Sequence, residues 1–158
     1  MKPVKAKISD SWRLRDLIRG SLVDFAYYPE QKIDKIRSQH RVWDLIKARL
    51  NPDRTIYLIK DDSRLVAYLI GHNQNKDSFS LDWIYVIPKY RSRGLAKALL
   101  IRLEEDLAKK GLAKIELISY NAGGYYQQMG YKFVSKLEVE NQLIVERYQK
   151  RIKGESRA

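Results

Sequence analysis

The stretch WIYVIPKYRSRGLAKALL, Trp83 to Leu100, joins a β-branched and aromatic run, a proline, a basic turn with one glycine, and a leucine-rich segment. Val86 closes the apolar run, and Pro88, which has no N–H to offer a neighbouring strand, stops it. Beyond the turn the period becomes helical. Leu95, Leu99, Leu103 and Leu107 recur every four residues, Ala96 and Leu100 widen the stripe, and Gly111 supplies the stop. A strand therefore passes into an amphipathic helix through Arg91-Ser92-Arg93-Gly94. A helix N-terminus carries unpaired N–H groups and partial positive charge, so small and basic residues feeding it suit a phosphate. Gly94 allows φ > 0 and a close approach of ligand to main chain, Ala96 keeps the first turn narrow, and Arg91 and Arg93 add charge. The turn has neither G-x-G-x-x-G nor G-K-[ST], which excludes the two commonest phosphate motifs.

Working outward, Val4 to Ile8 reads as a strand, with Ser9 or Asp10 as N-cap of a helix bearing Leu14, Leu17, Ile18 and Leu22 on one face. After Pro29 a second helix is expected from about Gln31 to Leu50, ended by Asn51 and Pro52. TIYLIK, RLVAYLIG and FSLDWIYVIP then form a three-strand meander. Downstream, KIELIS is a strand, AGGYYQQMG a short helix ending at Gly130, and YKFVSK with NQLIVERY a final hairpin. Residues from about 149 to 158 read as a flexible basic tail. The predicted order is β-α-α-β-β-β-α-β-α-β-β, an α/β (α+β) domain spanning 1–158 on one mixed sheet.

Lys and Arg number 31 against 19 acidic residues, a formal charge of +12 that attracts polyanions such as nucleic acid, ribosomes, acidic proteins and phosphorylated cofactors. The basic residues are spread along the chain, with no helix-turn-helix, RNA-recognition or zinc pattern, which argues against a dedicated nucleic-acid binder. Cysteine is absent, so disulfides, Cys-ligated zinc and a thiol nucleophile are excluded, in keeping with a cytoplasmic location. No apolar run is long enough to span a membrane, and the basic N-terminus lacks the apolar block of a secretory signal.

VIPKYRSRGLAKALL resembles the coenzyme-A signature of the GNAT acyl-CoA N-acyltransferases, [RQ]-x-x-G-x-[GA] following a strand that ends in Val, with Arg91, Gly94 and Ala96 at the fixed positions. NAGGYYQQMGY is similar to the family's second motif, Tyr126 preceding Gly130 and Tyr131 at its spacing. The order of elements agrees over nearly the whole chain. The resemblance implies a GNAT-like fold and acetyl-CoA as co-substrate, with no metal. The pantetheine arm would run beside main-chain groups of Ile84, Tyr85 and Val86. The pyrophosphate would take N–H groups of the turn Arg91, Ser92, Arg93, Gly94, Leu95 and Ala96. The family's cofactor-contacting Asn usually lies seven residues before the Tyr; here Ser119 holds that place and Asn121 lies five before, leaving both as candidates.

Without cysteine, direct attack of an amine on the thioester is the economical chemistry. An alkylammonium of pKa about 10.4 must lose a proton, so a base or a relaying water is needed. Asp82 sits where the family often places an acidic residue, and period two puts it on the face of Ile84 and Val86. Its alternative role is to pair with a surface lysine. His72 is the alternative base, a side-chain type that titrates near neutrality, although a strand-end histidine is more often a surface residue. His40 reads as structural. Tyr126 is placed to donate a proton to the departing thiolate, against the alternative of a core aromatic. The expected partner is a primary amine: a protein N-terminus, a lysine or a small molecule, with VDFAYYPEQK as a candidate acceptor wall. An acidic or ribosome-associated protein and a homodimer complete the partner expectations, and no membrane is among them. A non-catalytic GNAT-shaped module binding coenzyme A or nucleic acid is the alternative.

Overall fold

Runs of β-branched and aromatic residues become strands and four-residue leucine spacing becomes helix, in the computed structural model as in the sequence. The structure describes residues 1–139 and 142–152. Its elements are β1 (Val4–Lys5), α1 (Ser11–Ser21), α2 (Glu30–Gln39), α3 (Val42–Leu50), β2 (Arg54–Asp61), β3 (Arg64–Asn73), β4 (Ser78–Val86), α4 (Leu95–Lys109), β5 (Lys114–Ser119), α5 (Gly123–Gln128), β6 (Lys132–Val139) and β7 (Leu143–Arg151). The strands form one mixed seven-stranded sheet in the order β1-β2-β3-β4-β5-β7-β6. Among the described residues, no helix is long and apolar enough to cross a membrane.

The chain divides into two compact units. The first comprises Met1–Ile70 and Ile84–Leu99. Its β2 and β3 bury unbroken apolar runs, Ile56 to Ile59 and Leu65 to Ile70, as strands covered on both faces do. Leu14 and Ile18 on the buried side of α1, and Leu22 at the head of the 3-10 turn that follows it, recur at helical spacing, each side chain contributing roughly 1.5–3 kcal/mol when removed from water. β1 pairs antiparallel with β2, Val4 opposite Leu58. The first strand is shorter than expected. A single 3-10 turn, Ile8–Asp10, follows it, and the Asp10 carboxylate accepts from the Lys7 N–H (2.8 Å) and from Lys60 Nζ (2.6 Å).

The helix expected over Gln31–Leu50 is two helices, α2 and α3, so the order gains one helix. His40 leaves helical geometry (φ −113°, ψ 41°) and Arg41 is extended. The His40 ring nitrogen Nδ1 lies 2.8 Å from the Ile36 carbonyl oxygen, a side-chain bond of the kind that competes with helix propagation.

The second unit comprises Gly71–Trp83 and the chain from Leu100 onward. Leu100, Leu103 and Leu107 of α4 are fully buried, and Gly111 takes φ +80° at the stop. β4 and β5 pair in parallel from Ser78↔Lys114 to Leu81↔Leu117. β7 pairs antiparallel with β5 on one side and β6 on the other, with a bulge between Phe133 and Ser135. Because β7 extends to Arg151, ordered strand enters the segment expected as tail. Residues 153–158 of that segment, and Asn141 of the predicted hairpin, lie outside the described residues.

Candidate active site

In the first unit β4 ends at Val86 and a single turn, Pro88–Tyr90, leads into the basic turn. Ser92 (φ +59°) and Gly94 (φ +74°) both adopt the left-handed region, which costs a non-glycine residue about 1 kcal/mol or more. Gly94 carries the first carbonyl of α4, accepting from the Ala98 N–H at 2.9 Å, so the preceding N–H groups of that helical turn have no intrahelical partner. A Cβ added at Gly94 would meet no atom within 4 Å, so the glycine is there for its backbone conformation and the space outside it is open. Arg91, Ser92 and Arg93 are exposed around it, whereas Leu95 turns into the core and offers only its main chain. An exposed cradle of two arginines at the start of a fifteen-residue helix fits a pyrophosphate.

Arg91 is held on three sides. Its Nε donates to the Val86 carbonyl (3.0 Å), its terminal nitrogen meets Asp24 Oδ2 (2.8 Å), and its guanidinium lies 5.6 Å from the Tyr85 ring centre. Tyr85 donates its hydroxyl to the same Asp24 oxygen at 2.6 Å. That bond holds the Asp24 carboxyl below its usual range, and burial together with Asp24 pushes the Tyr85 phenol up to about 12. Asp24 lies at the head of an aromatic group: Phe25 and Tyr28 stack at 6.2 Å, and Tyr27 and Tyr28 lie 4.7 Å apart.

In the second unit the turn between β3 and β4 is tied by Gln74 N–H to the Ser78 carbonyl (2.9 Å). Gly71 is crowded: an added Cβ would lie 2.3 Å from Phe79 and 2.4 Å from the Ser80 carbonyl. This tight approach brings the next residue, His72, against Asp82. Nδ1 of His72 lies 2.7 Å from Asp82 Oδ2, and Ser80, two residues before Asp82 on the same strand face, donates its hydroxyl to Oδ1 at 2.9 Å. The partner of Asp82 is thus a histidine rather than a surface lysine.

Tyr126 is buried on α5, its ring 5.7 Å from Tyr131 and 6.3 Å from Tyr148. Burial, reinforced by the adjacent Tyr125, pushes its phenol well above the usual range, so the hydroxyl keeps its proton. The entry to α5 is fixed by the Ser119 hydroxyl, which accepts from the Ala122 N–H at 2.9 Å. It is fixed also by Gly123, where an added Cβ would stand 2.0 Å from the Tyr148 hydroxyl. Asn121 is exposed and, with Gly124, Gln127, Lys136, Glu146 and Tyr148, borders an open hollow of about 580 Å³. Ser119 is buried.

The structure therefore gathers the turn from Ile84 to Ala96 in one unit. In the other, Asp82 and His72 form one group and Tyr126 and Asn121 sit on the α5 segment. Reading the sequence alone misses Asp24 and Ser80 and ranks His72 below Asp82. The period-two spacing of Ser80 and Asp82 was a usable signal, whereas Asp24 is separated by 61 residues from Tyr85 and carries none.

Residues 16–131 match the pattern of the Acetyltransferase (GNAT) family. Among solved structures, the chain is similar to the PaiA N-acetyltransferase of Thermoplasma acidophilum in complex with coenzyme A (TM-score 0.76, 20% identity, 92% of this chain and 96% of that one). It is similar to an aminoglycoside 6'-N-acetyltransferase complexed with coenzyme A (0.74, 18%, 97% and 98%). It is also similar to an acetyltransferase of Thermus thermophilus (0.71, 18%, 96% and 97%). At these identities the likeness establishes the fold.

Proposed function

The chain belongs to the GNAT acetyltransferase family, and from that premise we propose that it transfers an acetyl group from acetyl-CoA to a primary amine: a protein N-terminus, a lysine or a small amine. The observation that carries this reading is the turn Arg91–Gly94, with its two arginines, two left-handed residues and open space at the start of α4. Similar proteins that were solved with coenzyme A support the choice of cofactor.

Acetyl-CoA supplies a thioester-activated acetyl group. Main-chain groups of Ile84, Tyr85 and Val86 receive the pantetheine arm, and the N–H groups from Arg91 to Ala96 with both guanidiniums hold the pyrophosphate. Asp82 and the groups bonded to it serve base function toward the amine. Tyr126 donates a hydrogen bond to the developing thiolate. Full proton transfer from a phenol above 10 to a thiolate whose thiol has a pKa of about 8.5 is uphill by at least about 2 kcal/mol, so charge stabilisation is the larger part of its role. The net charge of +12 disfavours a polycationic acceptor and favours an amine on an acidic or ribosome-associated protein, a peptide N-terminus or a small amine.

Calorimetric titration with acetyl-CoA, with dephospho-coenzyme A alongside, tests the cofactor half; saturable one-to-one binding is expected. An amine and peptide panel then tests transfer. Binding without turnover would indicate the non-catalytic module, and absence of binding at millimolar ligand would overturn the reading.

A further inference from the structure

We propose that the proton-accepting atom is Nε2 of His72 and that Asp82 is a positioning residue acting through it. The inference rests on the acetyl-transfer reading and assigns roles that family membership leaves open. Both Asp82 oxygens are already engaged as acceptors, Oδ2 at 2.7 Å from His72 Nδ1 and Oδ1 at 2.9 Å from Ser80 Oγ. A carboxylate has no hydrogen to donate, so the His72 nitrogen facing it must carry the proton. The neutral ring is then held as the Nδ1–H tautomer, with the lone pair of Nε2 on its far side. The imidazole is 37% exposed, which leaves it open to an incoming amine. Neighbouring geometry keeps the pair in register. Gly71 admits no side chain against Phe79 and Ser80, and Ser80 fixes the carboxylate that fixes the ring. Orientation of one ring nitrogen by a carboxylate while the other does the chemistry is the logic of histidine bases in general.

In the step assigned here, one N–H proton of the acceptor ammonium moves to Nε2, giving an imidazolium beside the Asp82 carboxylate. The freed nitrogen pair forms the N–C bond to the acetyl carbonyl as the C–S bond breaks. The second N–H proton reaches the thiolate through solvent beside Tyr126, and the imidazolium returns its proton to water. One proton is released for each ammonium acetylated, and no oxidant or further reactant is consumed.

The first test needs no turnover. The chain contains two histidines, so long-range proton–nitrogen NMR of imidazole resonances resolves His72 from His40. Nδ1–H with bare Nε2 is expected in the neutral ring, relaxing toward a mixture in Asp82→Asn. An Nε2–H tautomer in the wild type would overturn the proposal. In kinetics, His72→Gln is expected to lower kcat about 100-fold, within the usual range for a general base, with acetyl-CoA affinity unchanged. Asp82→Asn should lower it about 10-fold, and the double variant should be no worse than His72→Gln alone. Added imidazole should restore part of the activity of His72→Ala. Full activity in His72→Gln, or collapse in Asp82→Asn alone, would overturn the assignment and leave Asp82 as the base. Failure of the underlying function is separately recognisable, as a wild-type protein that turns over none of the amines tested.

Discussion

Two turns in this protein each deliver a chain into a helix, and they are built on opposite terms. Arg91–Gly94 is exposed and cationic, and its glycine faces open space. At the entry to α5 the two ends, Ser119 and Gly123, are buried, the glycine pressed against the Tyr148 hydroxyl, which itself donates to Glu146 at 2.5 Å. In the first turn glycine is demanded by a dihedral angle; in the second, by a neighbour. A turn of the first kind can be altered with little effect on stability and a large effect on ligand. At Gly123 of the second the reverse holds.

The largest expected effect is on binding. Gly94→Glu should weaken acetyl-CoA by at least about 100-fold through charge and bulk in the cradle, while Gly94→Ala should cost only about 1 kcal/mol of stability from the left-handed backbone. Calorimetry and thermal unfolding on the same two variants separate these outcomes, and a Gly94→Glu protein with retained affinity would erase the contrast. Next is Gly123→Val, expected to destabilise by roughly 1–3 kcal/mol, a fall in Tm of about 2–10 °C, because Tyr148 is buried with its ring against Tyr126 and Phe133. An unchanged Tm would show that the α5 entry is as tolerant as the cradle.

Tyr126→Phe keeps the ring packing and removes the hydroxyl. It should lower kcat about 10-fold with acetyl-CoA affinity nearly intact, and equal turnover would place charge stabilisation on another group. The smallest effect is expected at Asp24. Its replacement by Asn should raise the Kd for acetyl-CoA about 3-fold by loosening Arg91. It should also change the alkaline limb of stability. Tyr85 ionises at about 10 when unfolded and about 12 when folded, so its contribution is complete below about pH 10 and is lost as pH rises toward about 12. Asp24→Asn should move the end of that loss to lower pH in denaturation midpoints measured from pH 8 to 12. An unchanged limb would mean that burial alone sets the Tyr85 shift.

The strand-turn-helix around Gly94 was legible because every signal in it is local: Pro88 after the strand, leucines at four-residue spacing, and arginines crowded into one short turn. The second motif was legible as far as the Tyr126 to Gly130 spacing. The break at His40 was not, since no glycine or proline marks it and the competing bond comes from the histidine's own ring to Ile36. The sequence singles out Asp82 by family resemblance and by its place on the strand, but its bonding partners could not be read there, because the atoms it meets belong to His72 and Ser80.

What the sequence by itself determined is the order of elements apart from the division at His40, the phosphate-suited turn and the residue types available for acid–base work. These follow from periodicity and from the backbone preferences of glycine and proline, which act over a few residues. What only the tertiary structure decided is which side chains meet. Asp24 reaches Arg91 and Tyr85, and Tyr148 closes over Gly123, across separations of 25 to 67 residues. Such meetings depend on how strands and helices pack, and packing is a property of the folded chain that no short window of sequence carries.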